Sequence, residues 1–241
     1  MGRSAAASAE AKARIAGGLW LAVIATGGFA AFVSTTLIVR DPAATIANIL
    51  RSEGLFRLGF ASNLVASVCY IGVTVILYEL LKVVSRTLSL FAAFLGLAGS
   101  AAGAAGSLAF LFPLIVLEKA VYLSGFTADQ LQGLAFAFLR LNAQGFNVSM
   151  AFFGFQIITV GYLILRSTFL PRILGALLVL GGASYVIASF LNFVAPPSGA
   201  RLSTFIIPVA VLGEGSLTLW LLVKGVNLRN WEEQRLRGET T

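Results

Sequence analysis

The sequence predicts an all-α fold: a polytopic integral membrane protein built as a six-helix transmembrane bundle, with short interfacial helices in its outer loops. Three observations carry this. Hydrophobic residues make up 58% of the 241, against about 45–50% in a soluble domain even with Gly counted. Charged residues make up 11%, against about 25%, so 17 basic and 10 acidic side chains cannot cover a soluble surface of this size. The apolar text also comes in continuous runs near the roughly 20 residues that a helix needs to cross the hydrocarbon layer. A closed barrel would instead alternate over strands of about ten residues.

Six runs qualify. The first covers 15–39 and is closed by Arg40, Asp41 and Pro42. At 25 residues it exceeds the roughly 7–15-residue core of a cleaved signal and reads as a retained span. The second covers about 58–81, between Arg57 and Lys82. The third covers 88–117, with Arg86 before it and Glu118-Lys119 after it. The fourth is centred on 145–165 and stops at Arg166. The fifth covers 173–194, between Leu170-Pro171-Arg172 and Pro196-Pro197. The sixth covers 202–223 and is stopped by Lys224 and Gly225. The transmembrane domain is therefore 15–226, flanked by an N-terminal segment, 1–14, and a tail, 227–241.

Two loops carry helical text of their own. Thr127 and Gln130 have the spacing of a capping box, which predicts an interfacial helix over about 128–141 leading into the fourth span. Residues 42–54 read as a second interfacial piece. The tail, with Trp231 between charges, reads as a solvated extension of the last helix, and Trp220 and Trp231 as interfacial aromatics.

Charge sets the orientation. With six spans both termini share a side, and eleven of the 17 Lys and Arg fall on it. The asymmetry predicts both termini in the cytoplasm and a multi-pass protein of the inner (plasma) membrane. The net charge of +7 then reflects topology and contact with anionic lipid headgroups, not a nucleic-acid partner.

Composition also removes chemistries. Without His and with one Cys, Cys69, the chain has no imidazole triad, no His-ligated metal or haem and no internal disulfide. No G-x-S-x-G elbow occurs, and Lys82, Lys119 and Lys224 lie at span ends. The reading is a non-enzymatic protein with no cofactor and no metal site.

Three features remain. The third span carries Gly96, Gly99, Gly103 and Gly106, with Gly99 and Gly103 as a G-x-x-x-G pair, a pattern that lets helix backbones approach closely. It predicts a tightly wrapped central helix. Glu214 lies mid-span between Gly213 and Gly215, where an acidic residue costs about 2.5–3.5 kcal/mol on insertion scales and must face the bundle with a partner; Tyr70, Thr74, Asn147 and Tyr185 are at comparable depth. Pro208 removes a helical hydrogen bond and frees a carbonyl near Thr204. Finally, polar residues repeat on one face of three spans: Asn63, Ser67, Tyr70, Thr74 and Tyr78; Arg140, Gln144 and Asn147; Tyr185, Ser189 and Asn192. They fit either hydrogen bonds that hold the bundle or an outward-facing polar vestibule with Glu214 near its floor. Candidate ligand-binding residues are Glu214, Asn63, Tyr70, Arg140, Gln144, Asn147 and Tyr185.

The block Phe153-Gly154, Gly161-Tyr162-Leu163-Ile164-Leu165-Arg166-Ser167 and Phe169-Leu170-Pro171-Arg172-Ile173-Leu174-Gly175 resembles the core of a prokaryotic membrane-protein family known as domain of unknown function 4386. The opening Ala13-Arg14-Ile15-Ala16-Gly17, and the ending with Glu214 and Leu219-Trp220-Leu221-Leu222-Val223-Lys224-Gly225, are similar to it as well. The resemblance implies six helices and assigns no activity. Two functional expectations follow: binding or movement of a small hydrophobic or amphiphilic molecule through the vestibule, or an accessory subunit packed against a larger membrane complex. The expected partners are membrane lipids and, for the second, other membrane-protein subunits.

Overall fold

The computed structural model describes the backbone of residues 2–117 and 123–239, and the side chains of these except 2–7, 117, 200–207, 210 and 239. Among the described residues the chain is helical throughout, with eight α-helices: α1 (Gly2–Leu37), α2 (Pro42–Arg51), α3 (Glu53–Leu81), α4 (Arg86–Leu117), α5 (Ala128–Arg166), α6 (Arg172–Val194), α7 (Pro196–Val223) and α8 (Leu228–Glu239). Five of them, α1 and α3 to α6, are long and apolar enough to cross a membrane, which fits a multi-pass membrane protein. The sixth expected span lies in α7, where the described apolar stretch is Val211–Val223. α7 continues as a helix past Pro208, and the side chains of Lys119 and Arg201 lie outside the described residues.

The long helices close a ring in chain order. α1 packs on α3, α3 on α4, α4 on α5, α5 on α6, α6 on α7, and α7 returns to α1. A large apolar cluster, including Trp20, Leu77, Leu80, Ile164, Leu178, Leu217 and Leu221, fills the half of the ring nearer α8. A smaller one, with Val33, Leu37, Ile49, Phe56, Phe110 and Leu139, fills the opposite end, where Phe56 and Phe110 stack at 4.2 Å.

Glycine sets how close the helices come. The stripe of α4 meets α5 in one antiparallel register: Gly106 lies on Gly145, Gly103 on Ser149, Gly99 on Phe153 and Gly96 on Gln156. A Cβ at Gly106 would sit 3.1 Å from Gly145 Cα. The α5–α6 pair repeats the device one heptad apart, with Gly161 on Gly175 and Gly154 on Gly182; a Cβ at Gly161 would lie 2.7 Å from Gly175 O. The nearest neighbours of all four α4 glycines come from α5. The expected central helix is thus corrected: α4 is one stave of the ring between α3 and α5, because its small residues lie on a single face.

The loops differ from expectation in two places. The capping box at Thr127 and Gln130 forms, with bonds of 2.9 and 3.3 Å, but no separate helix follows it. α5 runs unbroken for 39 residues, about 58 Å at 1.5 Å per residue, because Arg140, Asn142, Gln144 and Asn147 interrupt the hydropathy and not the helix. The tail is also no simple extension of α7. Gly225 turns the chain at φ 66°, its N–H bonding to Trp220 O at 3.0 Å, as glycine does at helix ends. Past that turn α8 docks back on the ring: Trp231 is buried and donates to Leu80 O at 3.1 Å, and Asn227 N donates to Phe169 O.

The expected piece after the first span is α2, capped by Asp41 Oδ2 on Ala44 N at 2.7 Å. Buried Thr45 and half-buried Asn48 of α2 bond to backbone groups of Val39 and Leu37, satisfying groups that the end of α1 leaves open.

Candidate functional site

Residues of five helices meet inside the ring at Glu214 and the side chains around it. Trp20 of α1 donates its Nε1–H to Glu214 Oε2 at 3.1 Å. Tyr185 of α6 and Tyr70 of α3 both lie within electrostatic reach of the carboxyl. Tyr185 is a hydrogen-bonding neighbour of the carboxyl, side chain to side chain, while Oε1 is buried and makes no hydrogen bond of full geometry. Trp20 and Tyr70 meet edge to face at 6.4 Å, and Tyr70 packs on Phe153 of α5 at 4.5 Å. The carboxyl therefore sits among aromatic rings.

From Tyr70 a hydrogen-bond chain leads away from the carboxyl. The Tyr70 hydroxyl donates to Gln156 Oε1 at 2.8 Å, and Gln156 Nε2 donates to Thr74 Oγ1 at 3.1 Å. All three residues are buried. Only glycine at position 96 leaves room for the Gln156 amide, since a Cβ there would overlap it. Next to this amide a cavity of about 10 Å³ is bordered by Thr74, Tyr78, Ser89 and Gln156. A larger open cavity, about 370 Å³, lies at the α8 end between the α5–α6 and α7–α8 turns, with Trp220, Lys224 and Asn227 on its wall.

The structure divides the sequence-predicted residues into three sets. Glu214, Tyr70 and Tyr185 come together. Gln144, Asn147 and Asn192 form a second group, with Asn192 Nδ2 donating to Asn147 Oδ1 and Asn147 Nδ2 to Gln144 Oε1, both at 3.4 Å. Asn192 is seven residues beyond Tyr185 on α6, about 10 Å along the axis. Arg140 joins neither group: it is exposed and lies over the Phe136 ring at 5.1 Å. Asn63 is half-buried, and its carbonyl takes the Ser67 hydroxyl. Gly99 and Gly103 serve the α4–α5 seam, where Ser149 Oγ donates to Gly99 O at 2.6 Å. Cys69 is free and part-exposed.

Two contributors escaped the sequence reading. An indole in a span reads as apolar, although the buried N–H of Trp20 needs an acceptor. Gln156 lies off the Arg140–Asn147 stripe, on the face of α5 that meets α4. A lone amide in an apolar run was the available signal.

A family model described as a domain of unknown function, DUF4386, matches residues 15–225. The chain belongs to the DUF4386 family. The match takes in α3 to α7 and α1 from residue 15 onward, with Glu214, Trp20 and Gln156 included. No curated protein and no solved structure matches the chain. Among the described residues of this DUF4386 protein, no group of three or more Asp, Glu or Cys is placed to hold a metal ion.

Proposed function

We propose that this DUF4386 protein is a non-enzymatic, six-span protein of the inner (plasma) membrane, with both termini cytoplasmic, that binds a small hydrophobic or amphiphilic molecule inside its helix ring at Glu214. The carrying observation is a carboxyl buried inside the ring among Trp20, Tyr70 and Tyr185, whose Oε1 makes no hydrogen bond of full geometry while the polar groups of Trp20, Tyr70 and Gln156 are engaged. A buried acceptor short of a full hydrogen bond costs about 1–3 kcal/mol, which a ligand donor recovers. The Gln144–Asn147–Asn192 group, further from α8, supports a polar approach from the opposite, outward side. The length of α7, 28 residues, supports the sixth span, and the Lys and Arg asymmetry supports the orientation.

The test is extraction. The wild type and Glu214→Ala are purified from native membranes in mild detergent, and their organic-soluble small molecules are compared by mass spectrometry. A compound present near stoichiometry with the wild type and depleted from the variant is expected. Identical extracts, with a stoichiometric protein partner on the wild type, would favour the accessory-subunit reading instead.

A further inference from the structure

We propose that the open cavity at the α8 end is a site for a phosphate group, presented there by the headgroup of an anionic phospholipid. The site is separate from Glu214, which lies ten residues before Lys224 on the same helix, about 15 Å along the axis. Its volume, about 370 Å³, lies within the roughly 300–1,000 Å³ of small-ligand sites. Its walls are the turn 168–171 before α6, the turn 224–227 after α7, and Trp220.

The walls offer donors and no acid. Among the described residues that line the cavity, Lys224 alone is charged, and it takes part in none of the described ion pairs. The end of α7 does not occupy it: Trp220 O takes the N–H groups of Lys224 and Gly225, and Leu222 O takes Arg14 Nη1 at 3.1 Å. Asn227 Oδ1 accepts from Asn230 N at 3.1 Å, which leaves the Nδ2 donors of Asn227 to a ligand. The carbonyls of Thr168, Phe169, Pro171, Trp220 and Asn227 are already taken by described bonds. Glu10, whose Cγ lies beside Gly225, is paired with Arg14 at 3.0 Å. Unspent donors around one unpaired ammonium call for an anion.

Depth names the anion. Lys224 ends the apolar run of α7, and Trp220 stands one turn before it on the same face, at the level where interfacial aromatics meet headgroups. At that level Ile173 of α6 and Val223 of α7 are 63% and 65% exposed, as side chains that face lipid are. Basic pockets between spans hold anionic headgroups by this chemistry. Occupancy also bears on α8. The two turns are tied together by its docking, through Thr168 N on Gln234 Oε1, Asn230 Nδ2 on Thr168 O and Asn227 N on Phe169 O. A headgroup that rests on both turns binds the docked form, and stabilises it by mass action.

Phosphatidylglycerol, phosphatidylcholine with the same acyl chains, and inorganic phosphate are the probes, applied to the purified full chain in mild nonionic detergent. Bound lipid is counted by native mass spectrometry for the wild type, Lys224→Gln and Lys82→Gln. The last removes the same charge from a lysine outside the cavity. The wild type and Lys82→Gln should take up one phosphatidylglycerol in preference to phosphatidylcholine. Lys224→Gln should bind it roughly fivefold more weakly, the worth of one cation beside an anionic headgroup. Phosphatidylglycerol should also slow limited proteolysis near residues 225–228 of the wild type. Equal binding of the two lipids, or equal losses in the two variants, would overturn the proposal. Displacement of the lipid by an equal concentration of inorganic phosphate would overturn the lipid source and leave a soluble phosphate at the site. Weaker binding by Lys224→Gln without protection of the 225–228 turn would overturn the cavity as the place of binding. Should Lys224→Gln not fold, proteolysis of the wild type decides: protection by phosphatidylglycerol and not by phosphatidylcholine is expected, and equal protection overturns the site.

Discussion

Trp20 and Glu214, 194 residues apart, are joined by a 3.1 Å hydrogen bond from the indole N–H to the carboxyl, closing the ring between its first and last long helices. Trp20→Phe keeps most of the apolar volume and removes the donor. It leaves Glu214 Oε2 unmet, a loss of about 1–3 kcal/mol, measured by thermal or denaturant unfolding in detergent. Adding Glu214→Leu should restore part of it, so that the two changes couple. Additive losses would show that the bond does not hold the seam.

The glycine seams predict overpacking. Gly161→Ala drives a Cβ toward Gly175 O, a backbone atom that cannot rotate away, and should cost about 1–3 kcal/mol. Gly103→Leu should cost at least as much through Ser149. Gly18→Ala, which meets nothing within 4 Å, is the control and should be near neutral.

Gly96→Ala tests the polar chain. The added methyl displaces the Gln156 amide and breaks its bonds with Tyr70 and Thr74. A loss exceeding that of Gly96→Ala made in a Gln156→Leu background is expected. Equal losses in the two backgrounds would mean that Gln156 is not what Gly96 accommodates.

For α8 the expectation is local undocking. Trp231→Ala removes a buried indole and its bond to Leu80 O. Trp→Ala in a core costs about 3–5 kcal/mol. Limited proteolysis near residues 225–228 should accelerate while the ring stays folded. An unchanged cleavage rate would return α8 to the status of a solvated tail.

Topology is checked by cysteine labelling. On a Cys69→Ser background, Ser198→Cys should react with a membrane-impermeant maleimide added to intact cells, and Ser4→Cys only after permeabilisation. Labelling of Ser4→Cys from outside contradicts the six-span orientation.

Much of this was readable along the chain, because each signal is local. Continuous apolar runs, the Thr127–Gln130 cap and the Asp41-Pro42 start depend only on residues a few positions apart. The sequence by itself determined a helical membrane protein, its family resemblance, the glycine-lined face of α4 and the need for Glu214 to find a polar neighbour.

Tertiary structure decided which neighbour. Trp20 lies 194 residues from Glu214 and Gln156 lies 86 from Tyr70, and no local period connects them. It also decided that the four α4 glycines serve one partner, that α5 continues through its polar residues, and that α8 turns back to bury Trp231. The physical reason is common to all of these. In an apolar span, hydropathy is nearly the same on every face, so rotation and register come from close packing at glycine and from pairing of buried polar groups across helices, and both appear only when the helices meet.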